Sequence, residues 1–393
     1  MNGAVLTIDL TAIASNARRF GATSPGFMAV VKADGFGHGA ADVARTALAH
    51  GASRLGVTGV GEALELRADG ITAPILSWLN TIDADFSTAV AADVELAVNG
   101  VELLDRVSEA ASAVNRTARV HLFADTGMNR EGASPTDWPR LCRRAATLER
   151  RGTVAVSGIM SHLACAHDPT HPANVEALAR FDKATRVARD RGLSPSLRHI
   201  AATAATLDIP GARFDLVRVG AGLYGIDPAR RNRLRHALTL TAPVATVRDV
   251  PRGTAVGYGH SHSVASETRL ALLPLGYADG IPPSAANTAQ VQVSGRRCPI
   301  VGAVSMDQIV IDVGDLPVRV GDTATVFGPG GNGEPTMTEW ADWCHTIEHE
   351  LMTRLGSRIT RRTRPVHPSN RPARHGGRVN TVNRTEGRHD SLC

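Results

Sequence analysis

The chain has 393 residues, 43% of them hydrophobic, enough for a barrel-sized domain with a smaller module and for a complete enzyme. No apolar run approaches the roughly 18–20 residues that cross a bilayer, and the start, MNGAVLTIDLTAIASNARRF, has neither a basic n-region nor an uninterrupted hydrophobic stretch. A cytoplasmic protein is expected, and the net charge of +5 does not mark a nucleic-acid binder: from Arg364 onward six arginines face only Glu386 and Asp390, without the interleaved aromatics that stack on bases.

In chain order, VLTIDL reads as a strand and TAIASNARRF as a helix with a threonine cap. MAVVK is strand-like, and HGAADVARTALAHG is helical and ends on glycine. RLGVTG, GEALELRADG and APILSW repeat the scheme, which continues through VELAVNG, ARVHLFADTG, VAVSGIMSHL, LRHIAAT and FDLVRVGAGLYG. About eight such units predict an α/β fold whose N-terminal part, 1–236, is an eight-stranded, TIM-like β/α barrel. A doubly wound sheet is disfavoured because no GxGxxG follows the first strand. From about 237 the segments ALTLTAPVATVRDV, RLALLPLGYADG, AQVQVSG and DTATVFGPG are rich in Val, Thr and Gly, and helical periodicity returns only at MTEWADWCHTIEHELMTRLG. This predicts a C-terminal, mostly antiparallel β domain over 237–363. Residues 364–393, poor in large apolar side chains, are expected to be a disordered basic tail. Cys142, Cys165, Cys298, Cys344 and Cys393 are odd in number and lack metal-ligand spacing, so thiols are expected and neither disulfides nor a metal site.

Of the 43 basic residues only Lys32 and Lys183 are lysines. A guanidinium keeps its protons, whereas a lysine amine can form an imine with an aldehyde. Lys32 ends the apolar run MAVV, where a β/α barrel carries its chemistry, and the ADGFGHG that follows supplies glycines for close backbone approach and a turn. From composition alone, a chance survivor at a strand end remains the alternative.

AVVKADGFGHG resembles the pyridoxal-phosphate (PLP) segment of the alanine racemase family, PLP enzymes of the β/α-barrel class. DTGMNREG, SHLACA, RHIAATAA, FDLVRVGAGLYGI, VGYGHSHSV, LPLGYADG, VGAVSMDQIVIDVG and TIEHELMTRLGSRITR resemble it in the same order, covering nearly the whole chain to about Arg362. The resemblance implies a racemase of L- and D-alanine in which Lys32 is the Schiff-base lysine. Racemisation removes a proton from one face of Cα and returns it on the other, so it needs two bases. The family pattern assigns the second role to Tyr258, reached from the partner subunit of a homodimer with composite active sites. His162 and Arg218 are implied as a connected network, with Arg218 facing the pyridine nitrogen; a guanidinium there leaves the nitrogen largely unprotonated and favours racemisation over transamination. His199 is implied to hold its neighbours. Thr203, Gly220 and Ala221 match phosphate-anchoring positions, and Arg130, Met306 and Asp307 match the substrate-carboxylate neighbourhood. Taken singly, Tyr258 also reads as a strand aromatic, Arg218 as a surface or ion-pairing arginine and Met306 as a packing residue.

Five positions depart from the family pattern. Phe36 and His349 stand where tyrosines usually reach the phosphate, and His349 is expected to donate in their place. Ala202 and Thr203 replace asparagine and serine; the threonine keeps the hydroxyl. Phe123 occupies the place where many members carry a carbamylated lysine that orients the substrate-binding arginine, so Arg130 needs another partner. These changes keep open a racemase of another small amino acid, a non-catalytic PLP-binding homologue and a decarboxylase of the same fold class.

Overall fold

The computed structural model describes residues 3–366. All but the first three residues of the expected tail, 364–393, lie outside that range, as does Cys393. Nine strands lead the chain. The first, β1 (Val5–Asp9), is followed by β2 (Phe27–Val30), β3 (Arg54–Val57), β4 (Ile75–Ser77), β5 (Val94–Val98), β6 (Ala118–Phe123), β7 (Val154–Met160), β8 (Leu197–His199) and β9 (Val217–Val219). Strands β2 to β9 pair in parallel in the order β8-β7-β6-β5-β4-β3-β2-β9. The ring draws together where Arg218 N donates to Ala201 O at 2.9 Å and Asp215 N to Arg198 O at 3.2 Å. Helices cover the outside and side chains fill the inside, so β2, β4 and β5 are buried at every position. Met28, Leu76, Ala97, Phe123, Met160 and Leu216 form an apolar cluster inside the barrel.

β1 leaves the 1–236 unit expected from the sequence. It pairs antiparallel with β10 (Leu238–Pro243) and parallel with the last strand, Thr360–Arg364. Its alternating burial, Leu6 and Ile8 inward with Val5, Thr7 and Asp9 half-exposed, suits a sheet covered on one face. The helix after it, Leu10–Thr23, packs Ile13, Ala17 and Phe20 inward at helical spacing. Its cap is Asp9, whose carboxylate accepts from Thr11 N at 2.8 Å; the expected threonine cap, Thr11, stands two residues too late, inside the first turn.

The β domain continues with β11 (Thr246–Val250), β12 (Ala255–Val256), β13 (His262–Ser263), β14 (Thr268–Leu273), β15 (Gln290–Val293), β16 (Arg296–Pro299), β17 (Ile309–Asp312), β18 (Thr323–Phe327) and β19 (Thr360–Arg364). They form a six-stranded sheet, β16-β15-β18-β10-β1-β19, a three-stranded sheet, β11-β14-β17, and the hairpin β12-β13. Among the described strands of this domain, β1 and β19 pair in parallel and the other pairs are antiparallel. Trp340, fully buried, anchors the helix Met337–Trp343 by donating to Val326 O at 2.7 Å. The next helix, Glu348–Thr353, turns back to the barrel: a Cβ on Gly37 (φ 78°) would lie 2.7 Å from Met352 O, so glycine lets the two backbones meet. Among the described residues no helix is long and apolar enough to cross a membrane.

Candidate active site

A cavity of about 590 Å³ opens at the carboxyl ends of the barrel strands. Lys32 lines it just beyond β2, with its Nζ 6.0 Å from the centre of the Trp78 ring. The segment after the lysine is not an ordinary loop. Ala33, Asp34, Gly35 and Phe36 have φ of 52°, 51°, 60° and 54°, one left-handed turn in which three residues are not glycine. Each non-glycine residue there costs about 1–2 kcal/mol, which surrounding bonds must offset. Gly35 N donates to Val31 O at 2.8 Å, Ala33 N to Glu62 Oε1 at 2.6 Å and Ala40 N to Asp34 Oδ1 at 2.9 Å. Glu62 also accepts from Thr58 N at 2.7 Å, tying the lysine turn to the loop after β3.

Arg218, on β9, is buried and, among the described residues, has no acid in ion-pair contact. Its Nη1 donates to His199 Nδ1 and His199 O, both at 2.9 Å; its Nη2 reaches Ser161 O at 2.6 Å, His162 Nδ1 at 3.1 Å and Ile200 O at 3.4 Å. A planar guanidinium surrounded by neutral acceptors is fixed in position. Burial lowers its pKa to about 10, with Glu131 opposing, so it remains a cation at neutral pH. Burial, reinforced by Arg218, Arg130 and Lys32, pushes His162 down to about 3. His199 is pushed far below the ordinary histidine range by burial and then by Arg218. Both imidazoles are neutral acceptors toward Arg218.

Thr203, Gly220, Ala221 and His349 lie on the same cavity. Gly222 N donates to Thr203 Oγ1 at 3.0 Å, which leaves the hydroxyl proton available to another acceptor. Ala202 precedes the short helix Thr203–Asp208 without a side-chain cap, so the first-turn amides depend on another acceptor. Phe36 packs between Tyr224 and His349, with ring centres 4.6 and 6.1 Å away, and a Cβ on Gly220 would lie 2.9 Å from Phe36 Cζ. His349 Nδ1 is buried without a hydrogen-bond partner. Burial lowers the His349 pKa, Glu348 opposing and Lys32 assisting.

Arg130 also reaches the cavity. Its Nη2 and Nε donate to Glu131 Oε1 at 2.7 and 3.2 Å, and Phe123 points into the apolar barrel interior. Glu131 therefore holds the arginine, a partner that the sequence pattern did not single out.

Tyr258, Met306 and Asp307 do not join this group within the chain. Tyr258 sits in the β12–β13 connection, 77% exposed, flanked by Gly257 and Gly259 with φ of 72° and 68°. Met306 is 53% exposed on a neighbouring turn, and Asp307 accepts from Arg358 at 2.6 Å. Arg358 also donates to the fully buried Asp279 at 2.9 and 3.0 Å, so the turn is firmly held although its outer face is open. A Cβ on Gly276 would run into the carbonyls of Ser305 and Met306, which explains how closely the two loops approach. Tyr258, Tyr277 and Met306 are all exposed large hydrophobic side chains of this domain.

Two family models divide the chain: the N-terminal domain of alanine racemase matches residues 8–228 and the C-terminal domain matches 237–363. The alanine racemase of Frankia casuarinae is 47% identical, covering 91% of this chain and 95% of its own. The crystal structure of alanine racemase from D-cycloserine producing Streptomyces lavendulae superposes with a TM-score of 0.90 at 42% identity, covering 93% of this chain and 98% of its own. That of Bartonella henselae, which carries covalently bound pyridoxal phosphate, superposes with a TM-score of 0.83 at 28% identity over 92% and 99% of the two chains. Both the domain models and the relatives extend over the barrel and the β domain alike, and the chain is a member of the alanine racemase family.

Proposed function

We propose that this protein interconverts L- and D-alanine with PLP, using Lys32 and Tyr258 as the two bases in active sites built from both copies of a homodimer. The observation that carries this reading is the gathering of Lys32, Arg218 and His162 on one cavity while Tyr258 stands exposed and outside it. The residues present fit the cofactor: a strand-end lysine for its aldehyde, a proton-keeping guanidinium for its ring nitrogen, and Thr203 with the partnerless Nδ1 of His349 for its phosphate. Gly220 and Ala221 complete that side with backbone amides.

When bound, pyridoxal phosphate supplies an aldehyde and an electron-withdrawing ring that makes the substrate's α-proton removable. Lys32 holds the cofactor and then moves a proton at Nζ on one face of Cα. The Tyr258 hydroxyl of a second copy holds the proton on the other face. A phenol is a weak base near neutrality unless positive charge stands close by, and a cavity bearing Arg218, Arg130 and Lys32 supplies it. Arg218 donates a hydrogen bond without giving up its proton, so the ring nitrogen gains no charge from it. Arg130, steadied by Glu131, takes the substrate carboxylate, with Met306 and Asp307 of the second copy beside it. His162 and His199 orient Arg218 and take no part in proton transfer at neutral pH.

Deuterium exchange at Cα over a panel of L- and D-amino acids tests both reaction and substrate. Exchange into both alanine enantiomers is expected; exchange confined to another amino acid, or release of carbon dioxide, contradicts the reading.

A further inference from the structure

The barrel interior contains a line of buried polar side chains running away from the cavity. Arg218 Nη1 meets His199 Nδ1 at 2.9 Å; His199 Nε2 meets His121 Nδ1 at 2.8 Å; His121 Nε2 meets Glu95 Oε2 at 3.0 Å. Both imidazoles are fully buried, and Glu95 is 4% exposed. The line crosses the barrel from the carboxyl end of β8, through the middle of β6, to the second residue of β5. There Arg54 Nη1 pairs with Glu95 Oε2 at 2.8 Å and Arg119 Nε lies 3.3 Å from Oε1.

The two ends dictate the direction. Arg218 can only donate, so His199 Nδ1 must be the bare nitrogen and Nε2 must carry the proton. That proton goes to His121 Nδ1, which leaves His121 Nε2–H to donate to Glu95, an acceptor only. No other arrangement of neutral rings satisfies every contact. The seat for the middle ring is built into the backbone. Strands β6 and β7 shift register between Val120 and His121, which faces Gly158 after the shift, and a Cβ on Gly158 would collide with the His121 ring.

We infer that Glu95 and His121 are positioning residues that fix both histidines as Nε2–H tautomers and thereby hold Arg218 in the proton-keeping, outward-facing state that racemisation requires. The inference rests on the reading that Arg218 faces the cofactor ring. Burial raises the Glu95 pKa, but the His121 hydrogen bond, then Arg54 and Arg119, bring it down to about 2. Burial lowers His121 despite Glu95 beside it. The far carboxylate therefore stays ionised and does not pull protons along the line out of Arg218. Without it, His199 is free to carry its proton on Nδ1, donor would face donor, and Arg218 would have to turn.

The test begins with nitrogen-15 histidine spectra of the cofactor-loaded protein, which read tautomers without reference to turnover. Neutral Nε2–H forms of His121 and His199 are expected from pH 6 to 9. A protonated ring, or an Nδ1–H form of either, overturns the relay. The second arm counts racemisation turnovers per pyruvate released from alanine. His121→Phe and the milder Glu95→Gln should reduce that ratio, with kcat falling on the order of ten- to a hundredfold in His121→Phe, the scale on which partners of directly acting groups are felt. An unchanged ratio in either folded variant makes the line structural only and overturns the proposal. Arg218→Gln separates the underlying reading: if it leaves the ratio unchanged, the assignment of Arg218 to the cofactor fails, whatever the tautomers are.

Discussion

The two proposed bases occupy opposite kinds of surroundings. Lys32 stands at the rim of a closed barrel, behind a left-handed turn held by Glu62, and beside an arginine whose donors meet five acceptors. Tyr258 rides on a two-residue-strand hairpin with positive φ at Gly257, Gly259 and His260, and is 77% exposed. In the proposed reading the first half of the chemistry is preorganised within one chain, while the second base stands exposed, open to a second copy. This contrast makes association part of catalysis in the proposed reading: a barrel alone holds and orients, and a second copy completes the proton path.

The largest effect should come from the preorganised half. Lys32→Ala should lower turnover on the order of 10⁴-fold and remove the visible absorbance of the bound cofactor; persistence of that absorbance would sink the assignment. Tyr258→Phe should cost roughly 10²–10³-fold, mainly in proton removal from the L-enantiomer, measured by directional Cα isotope exchange. Equal loss in both directions would mean that the tyrosine shapes the site without acting as one of two bases.

Acid should destabilise the fold through its buried histidines. His38 is lowered from 6.5 to about 4 by burial and His162 from 6.5 to about 3, so below 6.5 the unfolded chain takes up protons that the folded chain does not. Stability therefore falls as pH drops from about 6.5, by up to about 1.4 kcal/mol per pH unit for each such histidine, until the folded pKa is reached. Denaturant titrations at pH 7 and pH 5 should give a lower midpoint at pH 5; an equal or higher midpoint contradicts the neutral, buried assignment. The smallest effect should be that of Glu131→Gln. The pair is partly exposed, so loosening Arg130 should raise KM for alanine roughly two- to fivefold with kcat little changed.

Much of this contrast is legible in the sequence. Nine strand-like segments precede residue 237, and eight of them close the barrel; the ninth, VLTIDL, goes to the other sheet. Its alternation of Leu6 and Ile8 with Thr7 and Asp9 is the signal of a one-sided sheet, set against the continuous apolar runs of the barrel strands. Lys32, His162, Thr203, Arg218, Gly220, Ala221, Arg130 and His349 all reach one cavity as their motifs imply. The left-handed turn was not legible, because alanine, aspartate and phenylalanine disfavour that conformation and only tertiary bonds impose it. Nor was the line through His121 and Glu95: polar residues at alternate strand positions look solvent-facing until the barrel closes around them. Glu131 escaped because a neighbour in sequence gives no sign of which carboxylate an arginine will choose.

The composite site is the central claim, and a defined heterodimer tests it most directly. One copy carries Lys32→Ala and the other Tyr258→Phe, each with its own tag, and the pair is purified through both. If each site takes its lysine from one copy and its tyrosine from the other, one site in the heterodimer is intact, and activity should return to roughly half that of the unaltered dimer. Activity no higher than that of either variant homodimer would contradict the account.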